Sequence, residues 1–324
     1  LMLERRIGPK HDHLGAFLAC LERLRRMRLD LKSAMNDASS PDQRRFFDAQ
    51  QSCLKILINS FYGYLGFAQA HFNDFDAAEQ VTGQGRELLS HMIETVRKLG
   101  GKPIEIDTDG IYYIPPENMS DNAFRRAFSE KLPSGIEVEF DGEYRSMFSY
   151  KMKNYALLDH EGHVTVKGAA LKSRGLERFQ RRYIQEYLRL KLEQRDPEIL
   201  ALQQRYRQAI RTREWDIAML AKTETLQADP TTYAAKIRNQ ARGRNAAYEL
   251  ALASGRSYRS GDQISHYVTG STKNVAVHSS AKLASDWDPS NRDENIAYYL
   301  DKLESLFKKF GSDTPPGDQQ EFVF

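Results

Sequence analysis

Apolar residues recur at helical spacing in three long stretches of the N-terminal third. From about Leu14 to Met35, Leu21, Leu24, Met27 and Leu31 fall on one side of a helix and basic residues on the other. A break follows at Asn36-Asp-Ala-Ser-Ser-Pro41, where Ser40 and Pro41 suit a helix start. The second helix runs through Phe46 and Phe47 to Tyr64, with Leu54, Leu57, Ile58, Phe61 and Leu65 as its apolar stripe and Lys55, Asn59 and Tyr62 on a neighbouring line. The pair predicts an antiparallel hairpin that brings Arg28, Lys32 and Lys55 near one another. A third helix is expected from about Ala77 to Lys98, buried through Val81, Leu88, Leu89, Met92 and Val96 and ended by Gly100-Gly101. Its Gly83-Gln-Gly85 has no preceding strand in phosphate-loop register, so it predicts close helix packing.

The period then shortens. Pro103–Ile106 reads as a strand, Asp107-Thr-Asp109-Gly110 as a turn and Ile111–Ile114 as the returning strand. A helix is expected over 117–131 and an alternating strand over Ile136–Phe140. Lys151 to Ala156 begins a hairpin that turns at Glu161-Gly162 and returns through Val164 to Gly168. From about Leu176 onward the pattern is mostly helical and basic, and Thr314-Pro-Pro-Gly-Asp precedes the end.

The 324-residue length exceeds that of one core, so two or three subdomains are expected. No apolar run reaches membrane-spanning length, and Leu1-Met-Leu-Glu-Arg-Arg lacks the features of a secretory signal and reads as the start of an excised piece. Cys20 and Cys53 sit in apolar helical patterns without metal-type spacing, which predicts reduced core residues of a cytoplasmic protein. His11-Asp12-His13 lacks a third ligand and reads as loop. Net charge is only +3, yet from Lys172 to Arg259 basic residues outnumber acidic ones by nine, a local excess suited to a polyanion.

Candidate chemistry gathers at two places. Arg28 and Lys32, four apart, share a helix face within reach of one anion, and Lys55, Asn59 and Tyr62 add a cation, a carboxamide and a flat ring. Asp107 and Asp109 place two carboxylates at one turn, where repulsion is costly unless a hard divalent cation sits with them.

Lys55-x-x-x-Asn59-Ser-x-Tyr62-Gly63, followed by a strand ending in Asp107-Thr-Asp109, resembles the second and third motifs of the family B (alpha-like) DNA polymerases in order and spacing. The resemblance implies an α+β, incomplete right-hand fold. Residues 1–13 would be a palm remnant, 14–66 helical-hairpin fingers, 67–171 an antiparallel-sheet palm with packed helices, 172–312 a mainly helical thumb and 313–324 a tail. It further implies that Arg28, Lys32, Lys55 and Asn59 grip the dNTP triphosphate while Tyr62 packs on the nascent base pair. Asp109 would bridge two Mg²⁺ ions with Asp107 as its partner, and Gly110 stands where the common family form has Ser.

Lys153 and Tyr155 match the family's Lys-Lys-x-Tyr-Ala segment, from which Met152 and Asn154 depart, and with Lys167 and Arg174 they would contact primer-template DNA. The family's Gly-Leu-Glu segment matches poorly at Gly168-Ala-Ala170 and at Arg174-Gly175, which puts Ala170 where an acidic residue is expected near the metals. Gln319, Phe322 and Phe324 are similar to the peptides by which bacterial replication proteins dock on the sliding clamp.

No Ser-Leu-Tyr-Pro motif supplies the further palm aspartate, and the proofreading carboxylates are also missing. The expectation is a fragment or split subunit of a DNA-directed DNA polymerase, inactive without an upstream region or subunit carrying the first palm motif. A catalytically silent, clamp-tethered DNA-binding accessory protein is the alternative.

Overall fold

The computed structural model describes residues 1–107, 110–168, 171 and 175–310, and the backbone of 320–323. The chain divides into two compact units, Leu1–Asp141 and Gly142–Phe324. No helix among the described residues is long and apolar enough to cross a membrane.

In the first unit, α1 (Ala16–Asn36) and α2 (Pro41–Leu65) form the expected hairpin. The α1 helix begins later than Leu14, which is 94% exposed, because the Asp12 carboxylate accepts the Phe17 N–H at 2.7 Å and caps the first turn. The Ser40 side chain caps α2, and Pro41 fits its first turn. Only a short seam is buried: Phe17, Leu21 and Leu65, with Ile58 and Phe61 half-buried beside them. The rings of Phe17 and Phe61 lie 4.8 Å apart.

The expected stripes are therefore too wide. Leu57 is 50% and Met27 46% exposed, and Cys20 and Cys53 are free and exposed rather than core residues. A residue next to a seam position is turned away by roughly 100°, so Leu57 beside Ile58 and Cys20 beside Leu21 cannot share their neighbour's burial.

Asp74 ties this unit together. Its carboxylate accepts from the Ala77 N–H at 2.9 Å and the Lys10 N–H at 2.8 Å, and its own N–H donates to the Leu65 carbonyl. It thereby caps α3 (Phe75–Lys98), which joins the hairpin seam through Ala77, Ala78 and Val81 to a second cluster through Met92 and Val96. Gly100, with φ of +87°, turns the chain out of α3, and a side chain at Gly101 would press within 3.0 Å of Val96 and 3.2 Å of the Ile114 carbonyl. That close approach seats β1 (Lys102–Ile106) and β2 (Ile111–Ile114), an antiparallel pair with Ile106 opposite Ile111.

The α4 helix (Asp121–Ser129) is shorter than expected because Ser120 caps it, and it buries Phe124 and Phe128 against Val96. Ile136–Phe140 is not a strand. Val138 and Phe140 are half-buried against that cluster, so the alternation is real, but no neighbouring strand among the described residues supplies a ladder. Close packing at Gly83 and Gly85 is also not found among the described residues, where a side chain at Gly85 would meet open space.

The second unit holds a four-stranded antiparallel sheet. Its order is β5 (Val164–Lys167), β4 (Asn154–Leu158), β3 (Ser146–Lys151) and β9 (Gln320–Val323). Helices α5 (Arg178–Leu192), α6 (Glu198–Arg211) and α11 (Ile296–Phe310) supply most of an aromatic core around Phe148, Phe179, Tyr183, Tyr187, Tyr206 and Phe307.

The one-turn α7 (Ile217–Leu220) leads to β6 (Lys222–Thr225), α8 (Pro230–Arg238), α9 (Ala246–Ala253), β7 (Gln263–Val268), α10 (Val277–Ser280) and β8 (Ala281–Leu283). The strands form a sheet in the order β6-β7-β8, so the expected mainly helical region is mixed. The period-two signal of β7 was masked because Tyr267 is buried along with Ile264, His266 and Val268, which blurs the alternation.

A polar cavity of about 270 Å³ lies within this unit, lined by Glu177, Lys222, Glu224, Arg244, His266 and Lys302 among others. The Lys302 ammonium donates to Glu177 Oε1, and Lys222 pairs with Glu224 at 2.8 Å. Glu177 Oε2 and His266 Nδ1 are buried without a protein partner among the described residues. Burial holds the His266 pKa below its ordinary value, with the Glu224 carboxylate opposing that shift.

Two outcomes are expected. Gly85→Ala should raise stability by about 0.5–1 kcal/mol, read from urea unfolding, because it removes a helix-interior glycine without a clash. For His266, the unfolded imidazole, with its pKa of about 6.5, takes the proton before the buried one as pH falls. Its neutral burial thus favours the fold above about pH 6.5 and loses that benefit below it. His266→Gln should flatten the pH 7 to 5 part of the stability profile.

Candidate nucleotide, metal and DNA sites

The narrow buried seam of the hairpin leaves Lys55 exposed and Arg28 and Lys32 half-buried. Arg28 Nε donates to Gln51 Oε1 on α2 at 3.3 Å, which sets Arg28 level with a point one turn before Lys55. Gln51, Lys55, Asn59 and Tyr62 follow one another at helical spacing along α2. Lys55 and Asn59 are exposed and Tyr62 is 43% exposed, and their side chains make no hydrogen bond or ion pair among the described residues. Lys32 is half-buried and pairs with Glu139 at 3.2 Å.

The aspartate turn is closed by the Asp107 N–H donating to the Gly110 carbonyl at 2.9 Å, so Asp107 stands at the tip of the β1–β2 hairpin. Asp109 lies outside the described residues, as do Ala170, Arg174, Gln319 and Phe324. The donor set of this turn is oxygen only, which fits a hard divalent cation such as Mg²⁺. Among the described residues, the one set of side chains spaced to hold a metal is Asp159, Glu161 and His163, at the β4–β5 turn of the second unit.

In the second unit, Lys153 occupies the β3–β4 turn with φ of +61° and is exposed. A side chain at Gly168, whose φ is +92°, would run into the Lys153 carbonyl and Asn154. This glycine lets the end of β5 lie against the turn, and Lys167 stands opposite Tyr155 in the β4–β5 register. Lys153 and exposed Lys167 thus come together at one end of the sheet, while Tyr155 is only 4% exposed.

Part of the basic excess serves the fold. The Arg242 guanidinium lies 4.8 Å from the Tyr248 ring and 5.4 Å from that of Tyr233, and Lys222 is held by Glu224. Arg178 and Arg181 on α5, with Lys236 and Arg238 on α8, remain exposed. The backbone of Gln320–Val323, within the expected flexible tail and including Phe322, pairs with β3 instead of extending freely.

Sequence reasoning missed the buried Glu177 and His266 and the half-buried Lys302 beside them. A signal for the first was present: Gly175-Leu176-Glu177 followed by Arg178 spells the Gly-Leu-Glu segment more closely than Gly168-Ala-Ala170 does. Glu177 also opens α5 with a capping box, its side chain and that of Gln180 serving each other's backbone.

The profile of DNA polymerase family B matches residues 5–309. The DNA polymerase of Thermococcus sp. (strain 9oN-7) is 28% identical over 314 residues, covering 93% of this chain and 40% of that protein. The DNA polymerase of Pyrococcus glycovorans is 35% identical over 170 residues, covering 50% of this chain and 22% of that protein. The solved family B DNA polymerase of the archaeon Pyrobaculum calidifontis shares the fold with a TM-score of 0.66 at 20% identity, over 92% of this chain and 38% of that one. This chain thus spans less than half the length of each of these relatives. Small antiparallel sheets packed with helices, and a profile match running almost end to end, place the chain in DNA polymerase family B.

Proposed function

We propose that this chain contributes the nucleotide grip, a metal-bearing hairpin and a DNA-contacting region to template-directed DNA synthesis. The observation that carries the reading is the exposed, unpartnered stripe Lys55, Asn59 and Tyr62 beside Arg28, in a chain of this family. Arg28, Lys32 and Lys55 hold the triphosphate of an incoming dNTP through charge-assisted hydrogen bonds, Asn59 adds a neutral donor, and Tyr62 offers its ring to the base pair. The planar guanidinium of Arg28 spans two phosphate oxygens, whereas each lysine serves as a point charge.

Asp107 and Asp109 would hold Mg²⁺, which when bound supplies charge neutralisation at the phosphates and lowers the pKa of the primer hydroxyl. Lys153 and Lys167, with Arg174, hold primer-template phosphates without reading sequence. The further palm aspartate comes from a region or subunit outside these residues, since no Ser-Leu-Tyr-Pro string occurs in the chain. The C-terminal Gln319, Phe322 and Phe324 offer a sliding clamp a docking peptide.

In calorimetry with Mg-dNTP, Lys55→Ala should weaken binding roughly tenfold or more, the loss of a charge-assisted contact; unchanged affinity would count against the grip. The chain should bind primer-template DNA with an affinity that falls steeply with salt, and Lys153→Ala should reduce the salt slope by about 1. It should not extend primers alone. Divalent-ion binding abolished by Asp109→Asn favours the polymerase reading, and binding indifferent to it favours a silent DNA-binding accessory protein.

A further inference from the structure

Ile136–Phe140 presents acidic residues by virtue of how its apolar ones are anchored. Phe140 packs on Phe128 with ring centroids 6.3 Å apart and lies under the Arg125 guanidinium at 5.1 Å, and Val138 joins the same cluster. In extended chain, neighbours of an anchored residue point the other way, so Glu137 and Glu139 face outward and are exposed. Glu139 Oε1 accepts from Lys32 Nζ at 3.2 Å, linking α1 to a segment 107 residues later in the chain.

We propose that Glu139 is a built-in competitor for the nucleotide grip, its carboxylate holding the Lys32 ammonium where a phosphate oxygen would, until the triphosphate displaces it. The idea rests on the reading of Arg28, Lys32 and Lys55 as that grip. The ammonium has three N–H donors but a single charge, and a carboxylate kept beside it repels an arriving phosphate, so the two anions compete for it. Arg28 differs, because its acceptor Gln51 is neutral and leaves the guanidinium charge uncompensated. Lys32 is thus the cation of the set whose charge is masked in the nucleotide-free chain. The Glu139 side chain is 79% exposed, so the pair is weak enough for a polyanion to break.

The test is the affinity of the 324-residue chain for a fluorescent dATP analogue with Mg²⁺ at low salt. Glu139→Gln should tighten binding about two- to fivefold, with the gain shrinking as salt rises. In a Lys32→Ala background the same change should do nothing. Glu137→Gln, which removes an equal charge two residues away, should give a smaller gain. If Lys32→Ala weakens binding while Glu139→Gln leaves it unchanged, or if Glu137→Gln matches Glu139→Gln, the competitor role is overturned and the grip stands. If nucleotide does not bind, or binds independently of both Lys32 and Lys55, the grip itself falls and the proposal with it.

Discussion

The first unit depends on how little of its helical hairpin is buried. Two helices of 21 and 25 residues share a seam made by Phe17, Leu21, Ile58, Phe61 and Leu65, all toward one end. Away from that end, polar contacts such as that of Arg28 with Gln51 hold the helices in register. A hairpin buried along its whole length would have to bury or neutralise its cations, at a cost of several kcal/mol per unpaired charge. A short seam lets Lys55, Asn59 and Tyr62 stay in solvent while the backbone beneath them is still fixed. Rigidity comes from one end of the hairpin, and chemistry is displayed along the rest.

Backbone caps add to the apolar seam in fixing that end. Asp12 and Asp74 cap α1 and α3, and Asp74 also binds the Lys10 N–H and receives the Leu65 carbonyl as acceptor of its own N–H. Each cap contributes about 1 kcal/mol, comparable with burying one methylene or two, and three chain segments converge on Asp74. The direction of the β1–β2 hairpin is set in a similar way by Gly100 and Gly101, which admit a left-handed turn and a close backbone approach. Asp107 is therefore aimed by residues six and seven positions before it.

In the second unit, charge is divided between structure and surface. Half-buried Lys302 pairs with buried Glu177, Lys222 is held by Glu224, and Arg242 is stacked on two tyrosines. Counting basic residues along the chain overstates what is available to a polyanion. Those left exposed, such as Lys153 and Lys167, are gathered by a turn and a glycine instead of by proximity in sequence.

The sequence by itself determined the family and the local elements. Helical spacing with a Ser-Pro start gave the hairpin, and Asp-Gly between β-branched runs gave the β1–β2 turn, because caps and turns depend on residues only a few positions apart. It also supplied the motifs, which are strings in fixed order. Tertiary structure decided which apolar positions are buried, turning Leu57, Met27 and both cysteines outward, since burial depends on a neighbour that periodicity does not name. It alone paired Lys32 with Glu139, left Ile136–Phe140 without a strand partner among the described residues, and buried Glu177 and His266 with Lys302 set against Glu177. Those outcomes join residues tens to more than a hundred positions apart, and only the folded path of the chain sets the distances over which charge and packing act.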